Sequence, residues 1–145
     1  MIRNKKYPYY EQLLLDDFRQ VMDVQLERNP DEIAFSYRKN GKIIDKTFRE
    51  TIEDINNLAN YFYTNYKNKN IAVIGENSYY WFILFMAIAI SGNIIVSIDK
   101  DVDEELLNRL LKQADCKDVY FSKEYCPFID EMKVNKKYIE DIEEY

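Results

Sequence analysis

The residues with most chemical potential follow a short apolar run, Ile71-Ala72-Val73-Ile74, which ends at Gly75 and leads into Glu76-Asn77-Ser78 and then Trp81. A carboxylate, an amide and a hydroxyl at the carboxyl end of a buried strand occupy the place where open α/β sheets bind ligands. Asn77 or Ser78 also suits a helix cap, and capping accounts for both residues, so they are assigned no ligand contact. Trp81 could line an acyl tunnel, but an aromatic on an all-apolar helix is expected in the core.

Cys116 and Cys126 could hold a metal only with ligands from elsewhere, and the neighbouring Asp115 and Asp118 have ordinary surface explanations, so no metal site is predicted. The sequence contains no histidine, which removes Ser-His and Cys-His catalysis and histidine-bearing zinc sites. Its three glycines, Gly41, Gly75 and Gly92, are too far apart for a G-x-G-x-x-G turn or a G-x-x-x-x-G-K-[ST] phosphate loop. The acidic end Glu140-Asp141-Ile142-Glu143-Glu144-Tyr145 could dock on a basic partner, but charge runs are usually just solvated, and no function is assigned to it. No catalytic, cofactor-binding or metal-binding residue is therefore assigned within this chain.

At 145 residues, 47% apolar and 32% charged, the chain is the size of one domain with a real core. A net charge of -6 argues against a nucleic-acid partner. The thirteen tyrosines accompany many Ile, Lys and Asn residues, all with A/T-rich codons, and are assigned to genome composition rather than base stacking. Two cysteines and no charged-then-apolar leader after Met1 predict a cytoplasmic location. Tyr79 to Ile98 is nearly charge-free, but Ser91-Gly92-Asn93 breaks it and the flanking Glu76 and Asp99 are acidic; it reads as a helix, a turn and a buried strand, not a transmembrane span.

The elements that must position these residues follow from periodicity. Met1 to Tyr10 is an extended lead-in, and Leu14, Phe18, Met22 and Leu26 mark an amphipathic helix between Glu11 and Arg28, stopped by Asn29-Pro30. Ile33–Tyr37 and Ile43–Lys46 flank Asn40-Gly41 and predict an antiparallel hairpin. Thr47-Phe48-Arg49-Glu50 has capping-box spacing ahead of the stripe Ile52, Ile55, Ala59, Phe62 and Tyr66.

Ile71–Ile74, Ile94–Ile98 and Val119–Phe121 are then three strands. They are joined by an apolar helix and by a leucine-rich helix that starts near Asp101–Glu104. The fold expected is α/β, a short parallel β-α-β-α-β sheet preceded by an amphipathic helix and a hairpin, in a single partial domain over residues 1–145 with a poorly defined tail over 123–145. The open sheet edges call for a covering partner.

These signals, in order, resemble the start of an adenylate-forming (AMP-binding) enzyme. Ala34-Phe35 with its hairpin, Thr47-Phe48-Arg49-Glu50 with Leu58-Ala59, Asn70 to Ser78 with Trp81, then Gly92 and Val96-Ser97-Ile98-Asp99 are most similar to bacterial long-chain acyl-CoA synthetases over roughly Asp31 to Ser122. Ser97 stands where that family usually has proline. The resemblance implies an N-terminal subdomain of a fatty-acid–CoA ligase, which adenylates a carboxylate with Mg-ATP and transfers the acyl group to coenzyme A. It also implies that the phosphate loop, the adenine and ribose contacts and the lysine-bearing C-terminal domain lie downstream. ATP, Mg and CoA then belong to a full-length parent, whose remainder is the expected partner, with a fatty acid or other carboxylate as substrate. The isolated chain is expected to be inactive, and the alternative is a stand-alone interaction or nucleotide-binding module that kept the fold and lost the chemistry.

Overall fold

The computed structural model describes residues 13–124, 129 and 132–144. The whole lead-in Met1 to Tyr10, Cys126 and Pro127 lie outside the described residues. The elements run α1 (Phe18–Arg28), β1 (Ile33–Lys39), β2 (Lys42–Thr47), α2 (Phe48–Asn65), β3 (Asn70–Ile74), α3 (Tyr79–Ile90), β4 (Ile94–Ile98), α4 (Glu104–Gln113), β5 (Asp118–Phe121), β6 (Asn135–Tyr138) and a terminal 3-10 helix (Ile139–Glu144). β1 and β2 form a separate antiparallel hairpin, and the other four strands form a parallel sheet in the order β4-β3-β5-β6.

Strand alternation splits the core into two layers. Ile71, Val73 and Tyr120 face α1, α2 and α3, whereas Ala72, Ile74, Val119 and Phe121 face α4, Ile129 and Met132. α3 is apolar all round because it is covered from several sides, by α1, α2, β4 and the terminal 3-10 helix.

Local signals act as expected at the hairpin and at α2. Asn40 (φ 51°) and Gly41 (φ 78°) both take the positive φ that a two-residue turn requires. The Thr47 hydroxyl accepts from the Glu50 N–H at 3.2 Å, and the Glu50 carboxylate accepts from the Thr47 N–H at 2.8 Å. That bond to the Thr47 backbone, with a second to its side chain, holds the Glu50 carboxyl below its usual range.

Three expectations are corrected. α1 begins at Phe18, capped by Asp17, rather than near Glu11, because the Asp17 carboxylate accepts from the Gln20 N–H at 2.9 Å and the preceding leucines are non-helical. The sheet has a fourth strand, β6, whose Asn-Lys-Lys-Tyr sequence carries no apolar pattern to reveal it. β4, expected to be buried like β3, is instead the edge of the sheet, with Ile94 59% exposed. Among the described residues, no helix is long and apolar enough to cross a membrane.

Candidate functional site

The strand order places β3 between β4, which follows it through α3, and β5, which follows through α4 on the opposite face. The topological switch therefore lies between the carboxyl ends of β3 and β5, where a doubly wound sheet leaves a ligand crevice. Here the crevice is narrowed to a pocket of about 230 Å³ whose lining includes Asn77, Ser78, Ser122 and Ile139. The Ser122 N–H donates to the Ile74 C=O at 3.0 Å, and Ile139 of the terminal 3-10 helix, 3% exposed, lies over Gly75. The Ser122 hydroxyl donates to Glu140 at 2.5 Å, and Lys123 pairs with Asp141 at 2.9 Å, tying the 3-10 helix to the end of β5.

A larger open space lies on the other side of β3, in a cleft of about 550 Å³ between the carboxyl ends of β3 and β4. Glu76, Asn77 and Trp81 line it from β3 and α3, and Ser97, Asp99 and Lys100 from β4 and its loop. Ser78 is the α3 cap, accepting from the Trp81 N–H at 3.1 Å, so of the three polar residues singled out in sequence only Glu76 and Asn77 face this cleft.

Lys100 is engaged by carboxylates, 3.0 Å from Asp101 and 3.7 Å from Glu76, so the rim is net acidic. Trp81 is half-buried rather than fully in the core: its ring stacks on Phe85 at 5.3 Å, and Phe85 meets Phe18 edge-on at 6.4 Å. Trp81 is thus the one aromatic among the cleft's described lining residues, beside the acids Glu76, Asp99 and Asp101.

A second polar group was not apparent in the sequence because its members come from three separate elements. Asp54 of α2 accepts from the Lys46 ammonium of β2 at 2.7 Å and from the Tyr79 hydroxyl of α3 at 2.5 Å. Burial, and then the Asp54 carboxylate, push the Tyr79 phenol far above its usual range, so it stays neutral. Burial works against the Lys46 ammonium, but the hydrogen bond and charge of Asp54 outweigh it and raise its pKa. Together with Tyr37 stacked on Tyr79 at 4.8 Å, this group fastens the hairpin to the helices.

Cys116 is buried, and burial with the nearby Asp115 and Asp118 charges pushes its thiol up to about 11. The thiolate that attacks disulfides is therefore scarce at neutral pH. In a Cys126→Ser background, Cys116 is expected to react with a soluble aromatic disulfide at least tenfold more slowly in the folded chain than in urea. Equal rates would remove this reading.

These described residues do not fit Mg-ATP. Lys100 is already paired with acids, the cleft has no glycine-rich turn beyond the single Gly75, and no three carboxylate or thiol side chains converge on a possible metal position.

A family model described as AMP-binding enzyme matches residues 22–143, nearly the whole chain. The chain belongs to the AMP-binding enzyme family. Among solved structures it is similar to the Klebsiella oxytoca NpsA N-terminal subdomain in complex with 3-hydroxybenzoyl-AMSN, with a TM-score of 0.71 and 18% identity, covering 88% of this chain and 31% of that one. It is also similar to the Bacillus subtilis O-succinylbenzoate coenzyme A synthetase MenE in complex with AMP, with a TM-score of 0.70 and 13% identity, covering 86% and 32%. The Legionella pneumophila fatty acid AMP ligase gives a TM-score of 0.65 at 13% identity, covering 84% and 23%.

Comparison with curated protein sequences gives no match. The chain spans about a third or less of the solved relatives it matches. Within the AMP-binding family it is thus an α/β N-terminal unit, and the cleft beside Glu76 and Trp81 is the open face of that unit.

Proposed function

We propose that this chain is the N-terminal portion of an ATP-dependent ligase of the AMP-binding family. The full enzyme joins a carboxylate to AMP with release of pyrophosphate and then passes the acyl group to coenzyme A. The observation that carries this reading is the family match over residues 22–143 in a chain that aligns with only 31% of the NpsA N-terminal subdomain and 32% of MenE. Residues 1–145 form one partial domain, and the remainder of the ligase is its partner in the cytoplasm. Its own contribution is one wall of the cleft, with the end of β3 and the start of α3 holding Glu76, Asn77 and Trp81 at its edge.

For the acid we propose a long-chain fatty acid. The Gly75-Glu76-Asn77-Ser78 and Trp81 segment supports that choice through its resemblance to the long-chain acyl-CoA synthetases. The relatives named above include a fatty acid AMP ligase, an O-succinylbenzoate coenzyme A synthetase and NpsA in complex with 3-hydroxybenzoyl-AMSN, so the test compares fatty with aryl acids.

The isolated chain is expected to show no carboxylate-dependent exchange of pyrophosphate into ATP. The longer polypeptide, recovered with an antibody against this domain at a mass well above 17.5 kDa, should exchange with fatty acids in preference to aryl acids. Exchange by the isolated chain above a no-protein control would place the chemistry within these residues. A native polypeptide of 17.5 kDa would instead favour the stand-alone module.

A further inference from the structure

α3 is apolar on every side, so burial alone does little to fix its rotation about its own axis. Its only side-chain hydroxyls belong to Tyr79 and Tyr80, in the first turn, and both are held from outside the helix. The Tyr79 hydroxyl donates to Asp54 of α2 at 2.5 Å, and the Tyr80 hydroxyl accepts from Lys39 of β1 at 2.8 Å. Phe35, Tyr37 and Lys39 share one face of β1 and complete the seat: Phe35 meets Tyr79 edge-on at 5.5 Å, and Tyr37 stacks on it at 4.8 Å. Asp54 also accepts from Lys46 of β2 at 2.7 Å, so a single carboxylate joins the hairpin, α2 and α3.

The same turn of α3 carries part of the cleft wall. Trp81 lies two residues after Tyr79, about 200° farther round a helix that turns about 100° per residue, so the seat and the cleft are on opposite sides of the helix. Asn77 immediately precedes Ser78, whose hydroxyl accepts from the Trp81 N–H. A rotation of α3 that freed Tyr79 would therefore swing Trp81 and Asn77 relative to Asp99 and Lys100 across the cleft.

We propose that Asp54 is a positioning residue for the cleft: through Tyr79 it sets the rotation of α3, and with it the direction in which Trp81 faces. Directional polar contacts select one arrangement among packings that apolar contacts leave close in energy. The effect on catalysis rests on the reading that this cleft receives the acid of a ligase; the effect on Trp81 does not.

The test uses the polypeptide at its native length, labelled with fluorotryptophan, in which Trp81 is identified as the fluorine resonance lost in Trp81→Phe. Tyr79→Phe keeps the ring and removes the hydroxyl, and Asp54→Ala removes its acceptor. Each is expected to shift or split the Trp81 resonance. Asp54→Asn keeps an oxygen that accepts from Tyr79 and is expected to leave the native resonance in place, a rescue that a merely structural role would not produce. In pyrophosphate exchange, Tyr79→Phe and Asp54→Ala should raise KM for a long-chain fatty acid by about fivefold or more, with KM for ATP within about twofold of native. A Trp81 resonance unmoved in both variants, or moved as far by Asp54→Asn, would overturn the positioning role, and Tyr79→Phe decides alone if Asp54→Ala fails to fold. A moved resonance with an unchanged KM for the acid would uphold the positioning role and overturn the reading of the cleft as the acid site.

Discussion

Phe62→Ala is expected to cost about 3–5 kcal/mol, read as a large fall in the urea midpoint with little change in slope. Phe62 is completely buried on the stripe of α2, with its ring 5.5 Å from Tyr120 of β5 and 5.4 Å from Tyr66 at the end of α2. Removing the ring leaves a cavity between α2 and the sheet that neither partner can fill, since the Tyr120 and Tyr66 hydroxyls face each other at 3.5 Å. Domains of this size have total stabilities of about 5–15 kcal/mol, so the variant should be partly unfolded under mild conditions. Tyr66→Ala should cost less, because Tyr66 is only half-buried at the helix terminus. A loss for Phe62→Ala below about 1 kcal/mol would mean that α2 does not anchor the sheet as described.

The stripe containing Phe62 was legible in sequence because period and capping agree. Ile52, Ile55, Ala59 and Phe62 are all buried behind the Thr47–Glu50 box, and the hairpin turn at Asn40-Gly41 announced itself by residue type alone. Those are local signals, each resting on a few consecutive residues. What failed depends on chain neighbours distant in sequence. Ile94–Ile98 reads as a buried strand because its composition matches that of Ile71–Ile74, yet only the strand order decides which of the two lies at the centre. β6 is the converse case, a polar segment recruited by pairing Asn135 to Tyr138 with Asp118 to Phe121.

The same division holds at the site. That Glu76-Asn77-Ser78 follows a buried strand could be read from Gly75 and the apolar run before it, and Ser78 does cap α3. That the crevice toward β5 is narrowed by Ile139 could not, since Ile139 lies in a segment whose only sequence signal is two isoleucines among acids. Asp54 likewise looks like a solvated residue off the apolar stripe until Lys46 and Tyr79 are brought to it by the hairpin and by α3. The open cleft on the β4 side therefore follows from a long-range packing event rather than from the motif beside it.

Gly75 makes that packing event testable. Its φ is not in the left-handed region, so the glycine is required for space: an added Cβ would lie 3.0 Å from Ile139 Cδ1 and 3.3 Å from Ser122 Cβ. The first of those atoms is the tip of a flexible side chain, so Gly75→Ala should be absorbed by a shift of Ile139 at a cost of about 1 kcal/mol or less. Gly75→Val adds two methyl groups against the same neighbours and should cost about 1–3 kcal/mol by displacing Ile139 from its buried seat. Because Ser122 and Lys123 bind Glu140 and Asp141, the expected signature is faster amide exchange through the terminal 3-10 helix, with α2 unaffected. Ile139→Ala vacates the contested volume, so adding it to Gly75→Val should cost less than it does in the native background, a coupling that a double-mutant cycle measures directly. Strict additivity, or a Gly75→Val chain as stable as the native one, would show that the 3-10 helix does not pack against Gly75 and narrow the switch-point crevice. That crevice, rather than the cleft beside β4, would then become the place to seek a ligand.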